Sequence, residues 1–141
     1  MKKILIVISD YYADISKSLL NNAKIELNNY SFKIIKVPGV FEIPITISKN
    51  INKYNGFIAL GCVIKGKTPH FDFISKSTID AIMQLSISHK KPSAFRFNLQ
   101  SRRDRIFKTR KNAWSPNHQW LENVGATGRE SVGNLEFIKF K

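Results

Sequence analysis

The feature that most restricts the possible folds of this chain is a series of three apolar runs. They read "KILIVIS" (residues 3–9), "FKIIKV" (32–37) and "FIALGCVIK" (57–65), and β-branched or aromatic side chains dominate them. A short continuous apolar run is typical of a strand that is buried on both faces of a sheet. The sequence therefore predicts three buried strands within the first 65 residues.

Each run is followed by a segment with helical features. Apolar residues recur every four positions over residues 13–29 and 43–51, and a third helix is predicted over 69–89. Pro44 is compatible with the second helix because it lies in the first turn. The alternation predicts an α/β fold with three layers, α-β-α, in which right-handed crossovers join the strands of a central, mostly parallel sheet.

The charge and cysteine content restrict the function and the compartment. A formal net charge of +13 would favour a nucleic acid or a membrane surface as partner only if it were concentrated on one face. The single Cys62 excludes an intramolecular disulfide framework. Asp10 interrupts the first apolar run too early for a secretory signal, and no stretch approaches the roughly 20 residues of a membrane-spanning helix. We expect a soluble, cytoplasmic protein with no membrane partner.

The residue usage changes after Pro92. Residues 1–92 contain thirteen lysines and no arginine, whereas residues 93–141 contain six arginines, four lysines and both tryptophans. Only "SAFRFNL" (93–99) has the alternation of a strand. We interpret residues 1–141 as one domain and residues 93–141 as an atypical basic tail. Our hypothesis is that this tail is frame-shifted or otherwise replaced.

The basic cluster at residues 102–111 has two further interpretations. It could be a nucleic-acid patch with Trp114 and Trp120 as stacking platforms. The alternative function is then an inactive scaffold whose basic tail binds RNA or an anionic surface. A solvated basic segment without a partner is the commoner origin of such a cluster, so nucleic acid is not the expected partner.

The segment "GCVIKGKT" (residues 61–68) fits the phosphate-loop pattern G-x-x-x-x-G-K-[ST]. Thr68 is a suitable N-cap for the following helix and Pro69 a suitable first helical residue. The free backbone N–H groups around Gly66 would then form an anion site at the carboxyl end of a buried strand. A nucleotide triphosphatase and a grip for a smaller phosphate both remain compatible with this arrangement.

Three observations favour the smaller phosphate. "CVI" between the two glycines has the composition of a strand and not of a loop, and no aspartate that could hold magnesium ends a later apolar strand. The phosphate-loop interpretation also assigns no role to His70, which is expected near the second helical position. A histidine at a helix start is more often a surface or capping residue, but beside an anion site it is also suited to moving a proton.

Two longer motifs resemble a known family. "VPGVFEIP" (37–44) and "GCVIKGKTPHFDF" (61–73) are similar to the corresponding segments of the lumazine synthases of riboflavin biosynthesis, and the resemblance covers about residues 3–92. It implies a flavodoxin-like topology and a cofactor-free transferase reaction. In that reaction 5-amino-6-(D-ribitylamino)uracil and 3,4-dihydroxy-2-butanone 4-phosphate give 6,7-dimethyl-8-ribityllumazine, phosphate and water.

The resemblance also implies roles for individual residues. His70 would transfer protons, Lys67 and Thr68 would hold the phosphate, and Tyr11 would stack on the pyrimidine. The ribityl chain would be contacted by Val40, Phe41 and Glu42. The backbone of the strand end formed by Cys62, Val63 and Ile64 would recognise the polar edge of the uracil. Without the family, Phe41 and the strand end could equally belong to the core.

The family pattern is lost beyond Pro92. Phe95 stands where the family donates an aromatic residue to the neighbouring subunit's site, but Arg96 follows it where the family has glycine. None of the arginines at 102, 103, 105 and 110 can be assigned as the second phosphate ligand. The resemblance implies a homo-pentamer, sometimes a shell of twelve pentamers, with each site between two subunits. We therefore expect the activity to depend on the tail.

Overall fold

A computed structural model describes residues 2–65 and 68–101 of the chain. Four strands and three α-helices alternate along these residues. They are β1 (Lys3–Ser9), α1 (Ala13–Glu26), β2 (Ser31–Val37), α2 (Ile43–Asn50), β3 (Gly56–Lys65), α3 (His70–His89) and β4 (Ser93–Ser101), with a short 3-10 helix (Val40–Glu42) directly before α2. The three predicted strands and three predicted helices are confirmed, and α1 ends three residues earlier than its apolar pattern predicted.

The four strands form one sheet in the order β2-β1-β3-β4, and every neighbouring pair is parallel. Ile6 of β1 lies between Ile34 of β2 and Ile58 of β3, and Ala59 of β3 pairs with Phe95 of β4. This order agrees with the first four strands of the flavodoxin-like arrangement. The predicted α/β fold with a parallel sheet is confirmed.

The side chains of β1 supply two separate hydrophobic cores. Ile4, Ile6 and Ile8 point to one face, where they pack with the buried stripe of α1. Leu5 and Val7 point to the other face, where they pack with residues of α2 and α3. Successive side chains of a strand alternate between the faces of the sheet, so a run that is apolar throughout can fill both cores. This produces the three predicted layers.

Residues 93–101 continue the fold beyond the point where the composition changes. β4 pairs with β3 along its whole length, from Phe57 opposite Ser93 to Lys65 opposite Ser101. The predicted strand is confirmed and is two residues longer than the pattern indicated. The basic cluster at residues 102–111 and the two tryptophans lie outside the described residues. Within the described ranges, no helix is both long and apolar enough to cross a membrane.

Candidate active site

The loops that follow β1, β2 and β3 meet at one edge of the sheet. All the strands are parallel, so their carboxyl ends lie on the same side of the molecule. β1 and β3 are neighbours, yet α1 packs on one face of the sheet and α3 on the other. Ligands of open α/β sheets bind at such a switch point, in the crevice outside the carboxyl ends of the strands.

The loop after β1 presents Tyr11 to the solvent. The Tyr11 side chain is 74% exposed, and its ring meets the ring of Tyr12 edge-on with centroids 4.9 Å apart. Two hydrogen bonds fix the start of this loop. The Ser16 hydroxyl donates to the Ser9 carbonyl oxygen over 2.6 Å, and the Asp10 N–H donates to the Val37 carbonyl oxygen over 3.3 Å. The position of Tyr11 at the crevice is therefore tied to both β2 and α1.

The loop after β2 separates the three residues that the resemblance grouped together. Val40 is buried in the core beneath α2, so only its backbone can face a ligand. Phe41 is 60% exposed and is therefore not a core residue. Glu42 is half-buried, and its backbone N–H donates to the Gly39 carbonyl oxygen over 3.3 Å. The 3-10 helix that contains them packs on β3 and α3, next to the third loop.

β3 extends further than its neighbour β1 at the carboxyl edge. The last pair between the two strands is Ile8 with Leu60, whereas β3 runs on to Lys65. On the side towards β1, residues 61–65 therefore have no strand partner within the described sheet. Backbone N–H and C=O groups along that edge are open to hydrogen bonding by a planar ligand.

The side chains of Cys62 and Val63 at this strand end belong to the two cores. Cys62 is buried among the α1-side residues, and Val63 is half-buried on the opposite face. Ile64 continues the strand opposite Gln100. Burial raises the pKa of the Cys62 thiol from 9.0 to about 11, so the thiol stays protonated at neutral pH and is not suited to act as a nucleophile.

The start of α3 differs by one residue from the prediction. Pro69 is the N-cap and Thr68 precedes it, with no side-chain capping bond, so the predicted cap at Thr68 is wrong. The Pro69 carbonyl oxygen accepts from the N–H groups of Asp72 (3.1 Å) and Phe73 (3.2 Å), which makes Pro69 the half-helical residue. His70 is consequently the first helical residue and not the second, and both Thr68 and His70 are exposed.

Phe95 is a predicted site residue whose side chain the structure places against the core and not in the loops at this edge. Lys67 lies outside the described residues. Phe95 packs, half-buried, against the core on the α2 and α3 side. It pairs with Ala59, six positions before the end of β3 at Lys65. At about 3.3 Å per residue, this places Phe95 roughly 20 Å before the end of β3, but only about 7 Å before the level at which β1 ends at Ser9.

Two residues at this edge had no role in the sequence interpretation. Ser16 holds the end of β1, but a serine on a helix carries no signal for a bond to a strand seven residues earlier. Gly39 lies in the quoted motif "VPGVFEIP", and a Cβ atom at this position would lie only 2.8 Å from the Glu42 carboxylate oxygen Oε2. The motif therefore includes Gly39, but it does not indicate that Gly39 lies against the Glu42 carboxylate.

Comparison with known proteins shows the family of this chain. The family model described as 6,7-dimethyl-8-ribityllumazine synthase matches residues 1–106. The chain belongs to this family. The match covers both motifs and the whole described sheet, and it extends fourteen residues beyond the resemblance that the motifs alone indicated. β3 is a continuous strand through Cys62 and Val63, so residues 61–65 do not form the loop that a triphosphatase requires.

Individual members of the 6,7-dimethyl-8-ribityllumazine synthase family are similar over the same region. The synthase of Afipia carboxidovorans is 40% identical over 95 residues, which cover 61% of this chain and 58% of the relative. The synthase of Agrobacterium fabrum is 38% identical over 98 residues, or 63% and 66%. That of Ruthia magnifica is 34% identical over 105 residues, or 66% and 63%. The chain thus spans about three-fifths of the length of the curated relatives it matches.

Proposed function

We propose that this chain forms the lumazine synthase active site at the carboxyl edge of its sheet. The reaction condenses 5-amino-6-(D-ribitylamino)uracil with 3,4-dihydroxy-2-butanone 4-phosphate and releases phosphate and water, without a cofactor. One observation carries the proposal. Tyr11, Phe41 with Glu42, and Thr68 with His70 all lie in the loops or helix starts that follow the strands at this one edge, in a chain of this family.

The phosphate of the four-carbon substrate would bind at the start of α3. The first N–H groups of a helix have no partner within it, and those of Asp72 and Phe73 are already used by Pro69. The N–H groups of His70 and Phe71 therefore remain for an anion, together with the Thr68 hydroxyl and Lys67. Negative charge is favoured there by the helix dipole as well.

His70 is the proton-transfer group in this proposal. It is the first residue of α3 and is exposed at the crevice, beside the groups assigned to the phosphate. Imine formation, loss of phosphate and ring closure each require a proton to be moved near the reacting carbons. An imidazole can both accept and donate that proton near neutral pH.

The ribitylaminouracil would occupy the crevice between the loops of β1 and β2. The exposed ring of Tyr11 provides a stacking surface for the pyrimidine. The backbone N–H and C=O groups of Cys62, Val63 and Ile64, on the edge of β3 without a strand partner, would form hydrogen bonds with the polar edge of the uracil. The Glu42 carboxylate would accept hydrogen bonds from the ribityl hydroxyls, with Phe41 alongside.

The proposal includes a homo-oligomer, a pentamer or a sixty-subunit shell of twelve pentamers. An exposed apolar surface on α2 and α3 supports it. Ile45 and Ile87 are more than half exposed, and Met83 is 41% exposed. The groove between the two helices has a volume of about 340 Å³ and is lined by Pro44, Ile45, Ser48, Ala81, Gln84, Leu85, Ser88 and His89. A second copy would cover this surface, and Phe95 would contribute to the neighbouring subunit's site in such an assembly.

The segment for which we propose a replaced sequence is shorter than the whole of residues 93–141. The family match ends at residue 106, five residues after β4. We propose that the protein is cytoplasmic, because its one cysteine, Cys62, is a free, buried thiol. We also propose that the family sequence is replaced from about residue 106 and not from residue 93. The nucleotide sequence tests the replacement. A second reading frame that restores the family pattern downstream of residue 106 supports it, and the absence of such a frame refutes it.

The activity is tested by incubating the full chain with both substrates. We expect lumazine and inorganic phosphate to form in equal amounts, followed by lumazine absorbance and a phosphate assay. Omitting either substrate is the control. A folded, oligomeric preparation that forms neither product refutes the proposal.

A further inference from the structure

Gly39 lies in an ordinary extended conformation that does not require glycine. Its φ is −147° and its ψ is 166°, which any residue adopts. Nevertheless, a Cβ atom at this position would lie 2.8 Å from Glu42 Oε2 and 3.8 Å from the Glu42 carboxyl carbon. The obstacle to a side chain at residue 39 is therefore the Glu42 carboxylate and not the backbone.

The backbone of Glu42 cannot easily move away from such a side chain. Its N–H donates to the Gly39 carbonyl oxygen, and its own carbonyl oxygen accepts from the Thr46 hydroxyl over 2.9 Å. The next residue, Ile43, is completely buried in the core beneath α2. A side chain at residue 39 would consequently displace the flexible end of Glu42, its carboxylate.

We propose that Gly39 is a positioning residue for Glu42. The missing side chain lets the carboxylate fold back over residue 39, beside the exposed Phe41, and this sets where the two oxygens face the crevice. The proposal rests on the proposed function, since it assigns the Glu42 carboxylate to a hydroxyl-rich substrate chain. Gly39 itself does not touch the substrate.

Gly39→Ala tests the proposal kinetically. We expect the KM for ribitylaminouracil to rise about tenfold, the effect of weakening one hydrogen bond to a charged group. The KM for the four-carbon phosphate and kcat should change less than about twofold, because uniform binding of one substrate is lost. Ser18→Ala, at an exposed position on α1, is the control and should change none of the three.

The decisive comparison is the same substitution in a Glu42→Ala background. Gly39→Ala should have no further effect on KM there, because the group through which it acts is absent. A tenfold rise that persists in that background overturns the proposal, as does an unchanged KM in the single variant. If Gly39→Ala alone does not fold, Glu42→Ala should restore folding, and failure to do so also overturns it.

A measurement without catalysis separates this inference from the proposed function. Crystal structures of the wild type and Gly39→Ala should differ in the position of the Glu42 carboxylate, with the 3-10 helix unchanged. An inactive wild type with that difference overturns only the proposed function. A carboxylate that stays in place in the variant overturns the positioning role of Gly39, whatever the activity.

Discussion

The hydroxyl of Ser16, in the first turn of α1, donates a hydrogen bond of 2.6 Å to the carbonyl oxygen of Ser9, the last residue of β1. Both residues are buried. The bond thereby joins the helix to the strand end immediately before Tyr11, and it keeps the first loop of the candidate site close to the sheet.

Replacing Ser16 by alanine should destabilise the protein by about 1–3 kcal/mol, since it leaves the Ser9 carbonyl oxygen buried without this donor. Urea unfolding measures the loss. Ser18→Ala, an exposed serine on the same helix, is the matched control and should stay within about 0.5 kcal/mol of the wild type. Equal stabilities of the two variants would contradict a structural role for the bond.

The buried thiol of Cys62 should make the stability depend on alkaline pH. Its pKa is about 11 in the folded protein and 9.0 ordinarily, so between these values the unfolded chain loses the proton while the folded chain retains it. The contribution is fully present below pH 9 and is lost as the pH rises to 11, about 2–3 kcal/mol in total.

The comparison with Cys62→Ala isolates this contribution from other groups that titrate in the same range. Unfolding free energies measured between pH 8 and 11 should fall more steeply for the wild type than for the variant. Parallel curves for the two proteins would contradict the raised pKa.

Thr78 of α3 is almost completely buried, and its hydroxyl has no hydrogen-bond partner among the described residues. Thr78→Val replaces that hydroxyl by a methyl group of similar shape. We expect a gain of about 1 kcal/mol in the free energy of unfolding, because a buried polar group without a partner is removed. Thr46→Val is the contrasting variant, since the Thr46 hydroxyl donates to Glu42, and it should lose stability. A loss for Thr78→Val as well would indicate a bonded hydroxyl.

Lys91 connects the two loops at the opposite end of the sheet. Its ammonium group donates to the carbonyl oxygens of Ile51, at the end of α2, and Tyr54, the latter over 2.8 Å. Lys91→Met keeps the aliphatic stem and removes the charge, so we expect a loss of about 1.5–3 kcal/mol. Lys53→Met, at an exposed lysine in the loop between α2 and β3, serves as the control in the same thermal or urea titration. An equal loss of unfolding free energy in the control would contradict a stabilising role for the two hydrogen bonds of Lys91.

The strands could be predicted because a short run that is apolar at every position, such as residues 4–8, is typical of a strand buried on both faces. The first residue of α3 could not be predicted, because Thr68 and Pro69 are both suitable N-cap residues. Which of them is the N-cap depends on the ψ angle of Pro69. The order of the strands depends on pairing between distant segments, which the residue pattern does not contain. The contact between Gly39 and the Glu42 carboxylate depends on the rotamer of one side chain, and no spacing in the sequence indicates it.

The most direct test of the account is the turnover of His70→Ala in lumazine synthesis. His70 begins α3 at the crevice and is exposed there, so the substitution should leave the fold and the oligomer unchanged. We predict that kcat falls by about 100- to 10,000-fold, the usual contribution of a positioned proton-transfer group. A folded, oligomeric His70→Ala variant with the wild-type kcat would contradict the assignment of the active site to this edge of the sheet.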